Sequence, residues 1–291
     1  MGEKGSMNCI YWMKNLIPKA HTVTLTDSTM IIGRSLIFYR KPQEEQKTTF
    51  NTNDLEFKQL SEQTNYLKIP SFDLSFKNKI DSLLAKHQTE INSRKNLIID
   101  IRNNGGGGFD AFQSVLPIVM DTNLIETPYY SSVWVSKDNY DFYNNTKFEY
   151  VETKQDSINE LKYVEFLSQY FGRFTPIQKN IDTLELQKNS PLYIAIIFNK
   201  NTASTAEGFI LQASQSKKVK TFGENSKGAV SYGDWMPVQL TDLNIRVAIT
   251  TKKMIFKNNE DFESIGISPD VDLKYATENE WLKIILELME K

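Results

Sequence analysis

Two short segments of the 291-residue chain combine residue types that can do chemistry. The first, Asn201-Thr202-Ala203-Ser204-Thr205-Ala206-Glu207, follows the apolar run Leu192 to Phe198 and opens a stretch with Ala206, Phe209, Ile210 and Ala213 on one helical face. A serine where a buried strand turns into a helix sits in the positive field of the helix N-terminus, which favours an alkoxide and a developing oxyanion. Ser204 is therefore a candidate nucleophile. The same spacing also reads as a capping box, in which the Ser204 hydroxyl satisfies a free helix N–H and Glu207 returns the bond. The second segment, Asp100 to Gly108, ends in four consecutive glycines after the apolar strand Asn96 to Ile101. Without Cβ atoms, its backbone N–H groups can approach a ligand closely enough to form an oxyanion hole. A flexible glycine turn is the plainer alternative. The run lacks the acidic residue that a dinucleotide fingerprint places beyond its βαβ unit.

The elements that must position these segments follow an alternating order. Tyr66 to Pro70 reads as a short strand and Phe76 to Ile91 as an amphipathic helix with Phe76, Ile80, Leu83, Leu84 and Ile91 on one face. Phe109 to Met120 reads as a helix despite Pro117, Tyr129 to Ser136 as a strand and Lys154 to Phe171 as an outer helix. Val219 to Phe222 and Asn244 to Phe256 read as strands, and Glu278 to Glu290 closes the chain as a helix with Trp281, Ile284, Ile285 and Leu288 on one face. Buried apolar strands alternating with helices predict an α/β core with mostly parallel pairing. Before residue 60 only short β-like runs occur, Thr22 to Leu25 and Ile31 to Tyr39, and the domain boundary is expected there.

Composition narrows the function classes. Lys and Arg number 34 against 36 Asp and Glu, leaving a net charge of −2, and the basic residues are scattered, so nucleic acid is not an expected partner. Cys9 is the only cysteine, which forbids an intrachain disulfide or a cysteine metal cage. With no His-Glu-x-x-His either, no metal or organic cofactor is expected. The apolar runs are too short for a bilayer core of about 30 Å. Met1 to Asn8 carries no signal-peptide apolar region, so the chain is read either as cytoplasmic or as lacking its natural start.

Taken jointly, Asn96 to Gly107 (NLIIDIRNNGGG), Leu192 to Glu207 (LYIAIIFNKNTASTAE), Phe222 to Gly228 (FGENSKG) and Gly266 to Asp270 (GISPD) resemble, in order, the signature segments of the tail-specific (C-terminal-processing) serine protease family, S41-like. Tyr66 to Phe72 looks like the strand opening its protease core. The resemblance implies a ClpP/crotonase-like α/β core over residues 61–291, preceded over 1–60 by a remnant of an N-terminal or PDZ-like region. It implies Ser204 as the nucleophile that becomes an acyl-enzyme, with an oxyanion hole from the amides of Gly106, or Gly105, and Thr205. Asp100 and Arg102 match residues that hold the glycine loop in shape, and a structural ion pair is the reading preferred for them. One branch of the family uses a lysine two residues beyond Lys227, but Ala229 stands there. Lys227 itself reads as a solvated lysine. The sequence is thus closer to the tricorn-like branch, which uses a histidine base and a glutamate that Glu263 matches; a surface carboxylate is the alternative for Glu263. His21 lacks the Asp-Gly that precedes the branch's His-Thr pair, and His87 reads as a partly buried helix residue. Implied substrates are peptides or unfolded protein, bound as an added strand, and family habit implies an exported (periplasmic or cell-envelope) protein if the natural start is missing. The rivals are a catalytically impaired peptide- or ligand-binding module of the same fold and a crotonase-type acyl-CoA enzyme.

Overall fold

The computed structural model describes residues 54–291 except 148–150, 152, 178–180, 190, 241–244 and 258–259, together with the backbone of two strands, Ile32–Gly33 and Leu36–Arg40. Cys9, His21 and the run Thr22 to Leu25 lie outside the described residues. The chain forms two compact units, each discontinuous in sequence. One comprises Met1–Lys47, Val133–Pro176 and Tyr232–Lys253; the other comprises Thr48–Ser132, Ile177–Ser231 and Met254–Lys291.

The second unit is built on a six-stranded sheet in the order Val271–Asp272, Val219–Gly223, Tyr193–Phe198, Asn96–Asp100, Thr64–Lys68, Glu56–Gln59. Neighbours along it are parallel, save the last pair, which is antiparallel. Alternate side chains of the two central strands enter different cores. Leu97, Ile99, Ile194, Ile196 and Phe198 pack with Phe72, Ile80, Phe112 and Phe209, whereas Ile98, Ala195 and Ile197 pack with Phe222, Trp281 and Ile285. Burial on both faces is the reason these strands read as unbroken apolar runs. This is the α/β, ClpP/crotonase-like arrangement expected.

Two of the predicted helices are broken into shorter pieces. The run 76–91 divides into a 3₁₀ turn, Leu74–Phe76, and α-helices Lys77–Lys86 and Gln88–Ser93. At the break, His87 leaves helical geometry (φ −106°, ψ 16°) and stacks on Phe57 with centroids 4.4 Å apart. The run 109–120 is a 3₁₀ turn, Phe109–Phe112, and a single helical turn, Leu116–Val119. Pro117 has no N–H and crowds the preceding turn, so it can begin a helix there but not continue one. The closing helix Glu278–Met289 buries Trp281 and Ile285, and the Trp281 indole N–H donates to the Leu273 carbonyl at 2.9 Å.

In the first unit, Ile32–Gly33, Leu36–Arg40, Ile245–Phe256 and Tyr232–Leu240 pair antiparallel in that order. Helices Lys137–Thr146 and Lys154–Ser168 supply Tyr140, Tyr143, Tyr163 and Phe166 around Val133, Val135 and Leu167. No described helix is long and apolar enough to cross a membrane.

Candidate active site

The parallel register sets Asp100 opposite Ile197, so the two central strands end side by side and deliver their loops to one place. Four asparagine-centred contacts stitch the loops together. Asn103 N–H donates to Asn199 Oδ1 at 3.0 Å, and both Asn199 Nδ2 (3.1 Å) and Asn201 Nδ2 (2.9 Å) donate to Asn103 Oδ1. The Ala203 N–H donates to the Asn104 carbonyl at 2.9 Å. Beneath them, Arg102 grips the fully buried Asp100 carboxylate through Nε (3.0 Å) and Nη2 (2.6 Å), while the Tyr66 hydroxyl donates to Asp100 Oδ2 at 2.8 Å. Asp100 and Arg102 are thus a loop anchor. Burial of the Tyr66 hydroxyl, with Asp100 beside it, pushes its pKa far up, so it remains a donor.

At the end of this scaffold, Ser204 occupies φ 56°, ψ −123°, and the helix Thr205–Ala213 starts at the next residue. Those angles belong to the first central residue of a type II′ turn, a place usually filled by glycine. A serine held there is strained, and such strain concentrates at functional turns between strand and helix. Ser204 and Glu207 form a capping box in which the Ser204 N–H donates to Glu207 Oε2 at 2.9 Å, while the Glu207 N–H, with the Ser204 hydroxyl near it, donates to the Ser204 carbonyl at 2.8 Å. Gly106, at φ +97°, lies against the same turn. A Cβ there would stand 2.8 Å from Ser204 Cβ, 2.8 Å from the Thr205 nitrogen and 2.9 Å from the Ala203 oxygen. Only a residue without a side chain allows this approach.

The amides of the glycine loop divide into two sets. Gly106 N–H donates inward at 3.0 Å to Oδ1 of the buried Asn104, whose Nδ2 is fixed on the Ile69 carbonyl at 3.1 Å. Gly107 forms a parallel bridge with Phe72, in which Phe72 N–H donates to the Gly106 carbonyl and Gly108 N–H to the Phe72 carbonyl. That pattern leaves Gly107's own N–H and C=O on the opposite edge. There the Gly107 carbonyl accepts from the Thr205 hydroxyl at 2.6 Å. Among the described residues the Gly107 and Thr205 amides donate to no protein acceptor.

Glu207 is fully buried and accepts four hydrogen bonds: from Ser204 N–H (2.9 Å), the Ser226 hydroxyl (2.6 Å), Gly228 N–H (2.7 Å) and Ala229 N–H (2.9 Å). Glu263 is only half-buried and accepts from Ser231 N–H at 3.2 Å. Burial raises the pKa of its carboxyl, the charge of nearby Glu207 raises it further, and the Ser231 N–H acts in the opposite direction. Lys227 is exposed, and its N–H donates to the Thr202 carbonyl at 2.9 Å. His87 is engaged with Phe57 and Glu90.

The sequence matches Peptidase family S41 over residues 63–273. The chain belongs to this serine peptidase family. No curated protein matches it. Among solved structures this S41 chain is similar to mature CPAF complexed with lactacystin, with 19% identity, 78% of this chain and 50% of that one covered and a TM-score of 0.56. It is also similar to a lipoprotein from Streptococcus agalactiae (21% identity, 81% and 69% covered, TM-score 0.48) and to the photosystem II D1 C-terminal processing protease (20%, 72% and 42%, TM-score 0.44). At 19% identity the likeness to CPAF speaks for the fold alone. The chain spans half the length of the CPAF structure.

Sequence reading of this S41 chain left out Gly107 and Ser231 and gave Glu207 only a capping role. A signal for Glu207 was present: its neighbours Ala206, Gly208, Phe209 and Ile210 are all small or apolar, so the carboxylate on that first turn must be buried and must find donors.

Proposed function

We propose that the chain is a serine-type peptidase that hydrolyses peptide bonds through an acyl-enzyme on Ser204. The observation that carries this reading is the Ser204 backbone, held at φ 56°, ψ −123° against a glycine whose missing side chain leaves room for it. Ser204 Oγ adds to the scissile carbonyl carbon and its proton passes to a general base. The carbonyl oxygen becomes an oxyanion beside the Thr205 N–H, which sits in the positive field at the helix start. For the second donor we assign Gly107 in place of Gly106, because the Gly106 N–H is already taken by Asn104. Collapse breaks the C–N bond, the amine leaves with a proton from the base, and water then hydrolyses the ester to free Ser204.

Glu263 is assigned the role of orienting the base, since a half-buried carboxylate held by the Ser231 N–H can still take a proton-bearing neighbour. Lys227 is exposed and His21 lies outside the described residues, so the base is given no residue number. The substrate proposed is a peptide or unfolded protein lying as an added strand beside the glycine loop. One observation favours the rival binding module: alanine stands at position 229, where a Ser–Lys dyad would need its lysine.

Labelling of the full chain with a fluorophosphonate decides between them. Covalent label on wild type and none on Ser204→Ala supports the peptidase; a folded wild type that takes no label supports the binding module.

A further inference from the structure

Glu207 has more contacts than a helix cap needs. A capping glutamate returns one bond to the residue before its helix. Here Oε2 accepts from Ser204 N–H and also from Ala229 N–H, while Oε1 accepts from the Ser226 hydroxyl and Gly228 N–H. The side chain is wholly shielded from water, so these four donors are its entire solvation, and bonds to an ionised acceptor are the strong kind.

The donors belong to two separate parts of the site. One is the backbone of the nucleophile itself. The others lie on the segment 226–229, which is in turn fastened to the residues around Glu263. Ser264 N–H donates to the Gly228 carbonyl at 2.7 Å, Ser226 N–H to the Ile267 carbonyl at 3.1 Å, and Ile267 N–H to the Ser226 hydroxyl at 2.7 Å. The Ser226 hydroxyl therefore receives from one segment and donates to the carboxylate of the other. Segment 226–229 is thus tied to the turn that aims Ser204 by the Glu207 carboxylate, beside the Lys227 N–H on the Thr202 carbonyl at 2.9 Å, and only the carboxylate reaches the Ser204 amide.

We propose that Glu207 is a positioning residue of the acyl-transfer step, locking the Ser204–Thr205 turn to segment 226–229 so that hydroxyl and oxyanion donor stay aligned while charge develops. This rests on the peptidase reading and deepens it. Glu207 touches no reacting atom; it acts through the Ser204 amide. Loss of such alignment lowers the chemical step while leaving reagent binding intact, and a misplacement of about 1 Å costs on the order of a hundredfold.

The test measures fluorophosphonate labelling of Ser204 over a range of reagent concentrations, separating the limiting rate from the half-saturating concentration, with thermal unfolding alongside. Glu207→Gln keeps the volume but turns an NH₂ toward N–H donors, and its limiting rate is expected to fall about a hundredfold with half-saturation unchanged. Ser226→Ala keeps the carboxylate and removes one donor, with an expected fall of about tenfold. A folded Glu207→Gln that labels at the wild-type limiting rate overturns the proposal, as does a loss that appears equally in half-saturation. If Glu207→Gln does not fold, Ser226→Ala decides, and an unchanged limiting rate overturns the proposal. Absence of label on wild type is distinguishable from all of these and overturns the peptidase reading together with this inference.

Discussion

The two sides of the site are built to different standards. On the oxyanion side, the loops after Asp100 and Phe198 are cross-linked by asparagines, anchored on Asp100 and Arg102, and sealed by Glu207 with four donors. On the side of Glu263, a half-buried carboxylate takes a backbone N–H from Ser231 at 3.2 Å and lies beside the Ser231 hydroxyl. On the peptidase reading proposed above, the difference follows from what each side would do. Amide dipoles stabilise a developing charge only if they are already in place. A carboxylate that orients a base must keep acceptor capacity open for that base's N–H.

The largest effect should come from breaking the tight side at its closest contact. Gly106→Ala puts a methyl 2.8 Å from Ser204 Cβ at a strained φ, and should lower the Ser204 labelling rate at least about a hundredfold and cost about 1–3 kcal/mol in urea unfolding. Asp100→Ala leaves the mostly buried Arg102 guanidinium without its partner, and a loss of about 3 kcal/mol is expected in the same unfolding measurement. On the open side the effects should be small and dependent on pH. Because Glu263 is raised, the folded chain holds its proton more tightly than the unfolded chain. Stability is therefore lost as pH climbs from the ordinary glutamate value through the raised one. Glu263→Gln should abolish that loss and gain about 0.5 kcal/mol at neutral pH, a figure reduced for solvent screening of a half-buried group. Urea titrations at acid and neutral pH would show it, and a gain at acid pH alone would contradict the sign. Lys227→Ala should change neither stability nor labelling rate, within about 0.5 kcal/mol. A large loss of labelling there would make Lys227 the missing base and remove the contrast between the two sides.

Much of the scaffold was legible because its central strands are buried on both faces. Leu192 to Phe198 and Asn96 to Ile101 cannot hide their apolar continuity, and the helix that follows Ser204 carries its burial in Ala206, Phe209 and Ile210. Elements that depend on partners distant in sequence were missed. Tyr232–Leu240 contains Gly233, Asp234 and Pro237, poor strand formers that are held extended by pairing with Ile245–Phe256. Lys137–Thr146 is too polar to declare a face. In the site, the meeting of Ser204 with the glycine loop was expected from the family motifs. Which glycine amide is occupied was not, because it turns on the Asn104 side chain and on a bridge to Phe72, neither visible as spacing.

The angles at position 204 also bear on what the chain is for. Any residue with a side chain carries a penalty of about 1–3 kcal/mol in that part of backbone space, whereas glycine is exempt. A scaffold that merely grips peptides would fold more comfortably with hydrogen at that Cα. If Ser204 is the nucleophile proposed, keeping a hydroxymethyl group there sacrifices foldedness for a reactive oxygen, and thermal robustness and chemistry pull in opposite directions at one atom.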